Sequence, residues 1–277
     1  MEHDTGRFKT ADDLNLFEQW WRPEEKPKAT VIIVHGYAEH STRYTHVAEH
    51  LVNNGYAIET FDLRGHGQSE GKRAFVRSFD EYLGDLEQFL ERVRQRRKAK
   101  NTFLLGHSMG GAIVTLFAIT RKPDIKGLIL SGPALKISDD ISPLLVRLSS
   151  IIGTFLPRLP TIKLDSSGIS RDPEVVRRYD NDPLVYRGGI PARTGAEITG
   201  ATKVIQAQME SISLPLLILH GADDRLADPE GSKSLYQRAQ SKDKNLKLYE
   251  GFYHEVMNEP EKEMVLGDIV EWTDGRL

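Results

Sequence analysis

Six residues, Gly106-His107-Ser108-Met109-Gly110-Gly111, stand between two apolar runs, Thr102-Phe103-Leu104-Leu105 before and Ala112-Ile113-Val114-Thr115-Leu116-Phe117-Ala118 after. Run, glycine-flanked turn and second run read as strand, sharp turn and helix. A serine at such a turn is forced into a strained backbone that lifts its hydroxyl clear of the sheet, where it can act as a nucleophile. Gly106 and Gly110 omit their β-carbons where strand and helix approach most closely. The five-residue pattern is weak by itself, and its weight depends on partners elsewhere in the chain.

A hydroxyl becomes a useful nucleophile only when a neighbouring base takes its proton, and that base needs a third group to orient it. Where such a turn carries a catalytic set, the chain order is serine, acid, histidine. Of nine histidines, only His220 and His254 follow Ser108. His220 precedes the acidic loop Asp223-Asp224-Arg225 and so falls in the wrong order. His254 lies in Gly251-Phe252-Tyr253-His254, just after the last expected strand, and is assigned as the base. Asp223, Asp224 and Asp228 are the candidate acids, two of which serve as ordinary turn and cap residues.

The tetrahedral intermediate of acyl transfer needs two backbone N–H donors. Met109, following the nucleophile, supplies one, and Tyr37, after the strand exit His35-Gly36, supplies the other. Metal chemistry is not expected. His254-Glu255-Val256-Met257-Asn258 places Asn where a second zinc-binding histidine would stand. His46 and His50 are four apart on an expected helix but have no evident third ligand. No cofactor is implied.

The elements that must position these residues are legible from periodicity. Residues 7–21 read as a hairpin around Ala11-Asp12-Asp13. Val31-Ile32-Ile33-Val34, residues 57–63, residues 102–105 and Gly127-Leu128-Ile129-Leu130-Ser131 read as strands of a mostly parallel sheet. Leu216-Leu217-Ile218-Leu219 and Leu246-Lys247-Leu248-Tyr249 add two more. Residues 45–53, 231–240 and 259–272 read as helices. Another follows Ser78-Phe79-Asp80-Glu81, a capping-box pattern, and its basic end at residues 92–100 reads as a solvated face suited to the helix dipole rather than a polyanion site. Alternation of this kind gives a parallel sheet covered by helices on both faces. Between residues 133 and 213 the rhythm stops, which implies a helical cap inserted at the edge of the sheet where open α/β folds bind ligands. We therefore expect an α/β core of residues 1–132 and 214–277 and a cap of residues 133–213.

The chain has 277 residues, 39% hydrophobic and 28% charged, which is enough for one large domain. A net charge of −3 argues against nucleic acid as a partner, and the lack of cysteine excludes disulfides and thiolate chemistry. The charged start Met1-Glu2-His3-Asp4 lacks the apolar core of a secretory leader, and no apolar stretch reaches membrane-spanning length.

With these residues assembled, the chain from Val31 to Trp272 resembles the monoacylglycerol lipases and related serine lysophospholipases of the α/β-hydrolase superfamily. The resemblance is carried by His35-Gly36-x-x-Glu39-His40-Ser41-x-Arg43-Tyr44, Gly65-His66-Gly67-Gln68-Ser69-Glu70-Gly71 and Gly106-His107-Ser108-Met109-Gly110-Gly111-Ala112. Further matches are Asp165-Ser166-Ser167, Asn181-Asp182-Pro183-Leu184, Ala222-x-Asp224-Arg225-Leu226-x-Asp228 and Tyr249-Glu250-Gly251-x-Tyr253-His254. It implies Asp224 as the acid beside Ser108 and His254, Tyr37 and Met109 as oxyanion donors, and Glu39, Arg43 and Tyr179 at the glycerol end of the site. Glu39 and Arg43 also suit a loop-stabilising ion pair. Tyr37 and Ala38 stand where the family commonly has smaller residues, and Met257 where mammalian members carry a second histidine.

Residues 141–156 contain nine large apolar residues, among them Leu145 and Leu148, and Arg147 is the only charge. This suits an amphipathic cap helix, packed on the core or forming the entrance to an acyl tunnel that touches a lipid surface. The expected activity is hydrolysis of a monoacylglycerol or similar single-chain lipid ester to fatty acid and glycerol through an acyl-serine. The expected location is cytoplasmic with peripheral membrane contact. A lysophospholipase or broad carboxylesterase with the same residues is the alternative, and a non-catalytic receptor of the same fold is the remote one.

Overall fold

Strand residues alternate between the two faces of a sheet, so a strand buried on both faces is mostly apolar, and any polar side chain in it needs a partner. That condition orders this chain. In the computed structural model, which describes residues 1–97, 101–136 and 152–277, eight strands form one sheet. They are β1 (Glu2–Lys9), β2 (Asn15–Arg22), β3 (Thr30–Val34), β4 (Ala57–Phe61), β5 (Thr102–His107), β6 (Gly127–Ser131), β7 (Leu216–Gly221) and β8 (Lys244–Tyr249). Their spatial order is β1-β2-β4-β3-β5-β6-β7-β8. The β1–β2 and β2–β4 pairings are antiparallel and the rest are parallel. Every residue of β3 to β7 is buried.

Alternate residues serve two separate cores. Ile32 and Val34 join one face with the helices α2 (Phe79–Arg97) and α3 (Met109–Arg121). Val31 and Ile33 join the other with α1 (Thr45–Asn53) and, through Val265, Leu266, Ile269 and Trp272, the final helix of the chain. The expected hairpin, strands and helices are therefore present, with ends shifted by a few residues.

Between β6 and β7 lie a 3-10 turn at Ser166–Gly168, the helices α4 (Pro173–Asn181) and α5 (Ala192–Gln208), and a second 3-10 turn at Met209–Ser211. Asp172 caps α4 by accepting from the Glu174 N–H, with Pro173 in the first turn, and α4 has no buried residue. By contrast, α5 packs on α3 and α2, and Ala201, Ile205, Met209 and Ile212 belong to the core of that face. The intervening segment is thus anchored to the sheet by its second half. After β7 come α6 (Pro229–Arg238) and, after β8, α7 (Lys262–Asp274). Leu145 and Leu148 lie outside the described residues.

Two local readings are corrected. The basic end of α2 is more than a solvated face. Arg92 and Arg96 pair with Glu18, and Arg96 and Arg97 pair with Glu59, both carboxylates being fully buried. A buried charge is tolerated when it is paired, so these arginines answer two glutamates placed inside strands β2 and β4. The capping box at Ser78 is displaced by one residue. Ser78 Oγ accepts from the Asp80 N–H, and Glu81 reaches the Arg77 N–H rather than that of Ser78.

The nucleophile turn is where packing is tightest. A β-carbon on Gly110 would collide with the carbonyl oxygens of Val34 and His35, and one on Gly106 with the backbone of Gly110. Gly110→Ala should therefore cost on the order of 3 kcal/mol, since rigid backbone rather than a flexible side chain must yield. The check is the chemical-denaturation midpoint, and a loss below about 1 kcal/mol would contradict the close approach.

Candidate active site

Ser108 follows β5 and caps α3 with φ 54° and ψ −117°, a conformation that costs a non-glycine residue about 1–3 kcal/mol. Hydrogen bonds hold it there. Its N–H donates to the Ser131 carbonyl (3.0 Å), and its own carbonyl accepts from the N–H groups of Ala112 (3.1 Å) and Ala134 (3.0 Å). The side chain opens into a cavity of about 150 Å³ whose walls also include His254, Met109 and Tyr37.

His254 follows β8 and donates from Nδ1 to Asp224 Oδ2 at 2.7 Å. Asp224 sits in the loop after β7. Its Oδ1 accepts from the N–H groups of Leu226 (2.8 Å) and Ala227 (2.9 Å), and its Oδ2 also meets His220 Nε2 at 3.0 Å. Of the three candidate acids, Asp223 is exposed. Asp228 caps α6 through the Glu230 N–H and pairs with Lys136 at 2.8 Å. Only Asp224 of these three is hydrogen-bonded to His254 among the described residues. His220, excluded as a base by chain order, instead bridges Ser232 Oγ and Asp224. That orienting contact was missed, and its signal was His220 four residues before the acid.

The charges respond to these contacts. Burial raises the cost of ionising Asp224, yet the His254 and His220 rings hold its carboxyl well below the usual range. Burial likewise opposes a charge on His254, but Asp224, followed by Glu255 and Glu39, pulls its pKa above the ordinary histidine value. His107 and His66 go the opposite way. Burial, with His254 nearby, brings His107 down to about 4, and burial brings His66 down to about 3. Neutral His107 places Nδ1 at 2.9 Å from the Ser131 carbonyl, its ring centroid 4.8 Å from that of His254.

Tyr37 and Met109 flank Ser108 on two different elements. The Tyr37 loop is fixed by the Leu63 N–H donating to His35 Nε2 (2.9 Å), which leaves His35 Nδ1–H to donate to the Gly36 carbonyl (2.7 Å). The Gly36 N–H donates to Glu39 at 2.7 Å. A β-carbon on Gly36 would press on Ser108 Cβ and the His107 ring, so glycine is required for the loop to lie this close.

Glu39 and Tyr179 line the cavity, as does Glu255, which the sequence reading left unassigned. Arg43 does not. Its guanidinium lies behind the wall between Glu39 (2.5 Å) and Glu255 (2.8 and 2.7 Å), 4.8 Å from the centre of the Tyr179 ring. The ion-pair role expected for Glu39 and Arg43 is thus present, with a second carboxylate added. Opposing burial, Arg43, then His107 and His35, brings Glu39 down to about 2. Leu164, Ile169, Ile190, Ile198 and Leu226 make much of the remaining wall apolar, with Asp165 and Ser166 among them. His46, bonded to the Met257 carbonyl, and His50, paired with Glu263, each have a protein partner. Such an arrangement can present a hydroxyl and an imidazole held by a carboxylate to a carbonyl carrying an apolar chain.

Comparison with known proteins places this geometry. Residues 25–261 match the family model described as serine aminopeptidase, S33 (Hydrolase_4). The chain is 38% identical over 265 residues to the monoacylglycerol lipase of Mycolicibacterium smegmatis, covering 96% of this chain and 95% of that one. It is 35% identical over 276 residues to human monoglyceride lipase, covering 99% and 91%. The crystal structure of Paleococcus ferrophilus monoacylglycerol lipase superposes over the whole of both chains with a TM-score of 0.84 at 33% identity. The eight-stranded, mostly parallel sheet, with sequence identity above 30% over nearly the whole length of these relatives, makes this chain a carboxylic ester hydrolase of the α/β-hydrolase fold that belongs to the monoacylglycerol lipase family.

Proposed function

We propose that the chain cleaves monoacylglycerols to fatty acid and glycerol, with Ser108 as nucleophile, His254 as base and Asp224 as the group that orients it. The observation carrying this reading is the strained Ser108 opening into the same cavity as the His254–Asp224 pair, with apolar walls and a carboxylate-lined end. His254 takes the hydroxyl proton as Ser108 Oγ attacks the ester carbonyl carbon. The N–H groups of Tyr37 and Met109 receive the oxyanion. As the intermediate collapses, the carbon–oxygen bond to glycerol breaks and His254 returns the proton to the departing alkoxide. Water, deprotonated by the same imidazole, then releases the fatty acid and regenerates Ser108.

Residues 133–213 act in this reading as the cap, with α5 as its anchor and Phe155, Leu156 and Ile162 on its outer face. Phe155, Leu156 and Ile162 are 78%, 58% and 57% exposed, and apolar surface of this kind suits transient contact with a lipid surface. No helix among the described residues is long and apolar enough to cross a membrane.

Purified protein should release glycerol and fatty acid from monoacylglycerol faster than it acts on di- or triacylglycerol. Faster turnover of the more heavily acylated lipids would contradict the assignment. Because His254 must be neutral to accept a proton and its pKa is raised, kcat/KM should fall on acidification through an apparent pKa above the ordinary histidine value of about 6.5. Asp224→Asn should lower kcat by about 10⁴ and move that acid limb to lower pH. An unmoved limb would remove Asp224 from its role. For the cap, Phe155→Asp combined with Ile162→Asp should weaken vesicle binding about tenfold while sparing a soluble short ester. Equal loss of both would assign these residues to folding.

A further inference from the structure

We propose that Glu255 is a specificity-determining residue, giving the headgroup end of the cavity an excess of carboxylate that admits neutral, hydroxyl-bearing headgroups and turns away phosphate-bearing ones. The inference rests on the monoacylglycerol reading above and names what that site refuses.

Glu255 is the residue after His254, is 4% exposed and lines the cavity. Its two oxygens accept from Arg43 at 2.8 and 2.7 Å, and Oε2 also accepts from Asn258 Nδ2 at 2.7 Å. With Glu39 alone, Arg43 would form a neutral pair. With both glutamates, two carboxylates share one guanidinium and a formal charge of −1 remains. The placement sharpens the effect, because both carboxylates line the cavity while Arg43 stands behind it against the Tyr179 ring. None of the described residues lining this cavity is Lys or Arg, whereas Glu39, Glu255 and Asp165 all do. Lys163 and Arg187 line the adjoining cavity instead. The imidazole beside the polar end, His107, is held neutral by burial.

Carboxylates only accept hydrogen bonds. A glycerol hydroxyl can donate to the lone pairs that Gly36, Tyr44, Arg43 and Asn258 leave open, whereas a phosphate brings acceptors and one or two negative charges to the same place. In a site shielded from water that repulsion is felt strongly. Glu255→Gln keeps the size and one oxygen acceptor and cancels the excess charge.

The test compares three lipids with the same acyl chain in detergent micelles. They are the monoacylglycerol, its 3-phosphate, and the monoacyl ester of diglycerol, an uncharged headgroup of similar bulk. Wild-type kcat/KM should be about 100-fold lower for the phosphate than for the monoacylglycerol, the loss appearing mainly in KM, and within about tenfold for the diglycerol ester. Glu255→Gln should raise the phosphate-to-monoacylglycerol ratio about tenfold, and Glu255→Asp, which keeps the charge, should not. Equal use of the phosphate by the wild type, equal rejection of both larger headgroups, or an unchanged ratio in folded Glu255→Gln would each overturn the proposal. Should Glu255→Gln fail to fold, the wild-type comparison alone decides, because bulk rejects both large headgroups and charge rejects one. Failure of the underlying reading looks different: none of the three lipids is turned over, and the proposal falls with it.

Discussion

The close approach of β5, β3 and α3 at Gly106 and Gly110 is the constraint on which the rest depends. It leaves the chain one way from strand to helix, through a left-handed residue at position 108, and that residue is a serine. The strain is confined by three backbone hydrogen bonds, two to β6 and its exit loop and one within α3. A side chain held this way has little freedom to lose on reaching a transition state, which is the physical content of preorganisation. Because β5 lies between β3 and β6, the loops of both neighbours reach the serine, and those of β7 and β8 bring Asp224 and His254 from farther along the sheet.

Electrostatics sets His254 apart from three other buried histidines. His35, His66 and His107 are buried with backbone carbonyls as partners, so desolvation keeps them neutral and they serve as fixed hydrogen-bonding wedges around the strand exits. His254 is equally buried but faces Asp224, and carboxylates outweigh desolvation there. Asp224 is stabilised as an anion by two backbone N–H groups and the His220 and His254 rings. In the proposed mechanism, an imidazole whose charged form is favoured in this way accepts a proton readily from Ser108.

Much of this was legible in the chain. Val31 to Val34 and Leu216 to Leu219 could only be buried strands, since strictly apolar runs of four fit no half-exposed element, and the order serine, acid, histidine picked out His254, which is hydrogen-bonded to Asp224. Other features were not legible because they depend on contacts distant in sequence. Arg92, Arg96 and Arg97 read as a solvated helix end because Glu18 and Glu59, their partners, lie far away on β2 and β4. Glu255 drew attention only as part of a failed zinc pattern, and nothing local shows that it closes on Arg43, 212 residues earlier. Likewise, the break in strand–helix rhythm led to the expectation of an inserted cap but did not reveal that α5 packs into the main core.

The most direct test of the central claim is to find where an electrophile lands. A fluorophosphonate reacts with a serine only when a neighbouring base activates it. Peptide mapping by mass spectrometry after treatment should show a single adduct, on Ser108, formed in step with the loss of esterase activity. An adduct on another residue, or complete inactivation with Ser108 unmodified, would contradict the account.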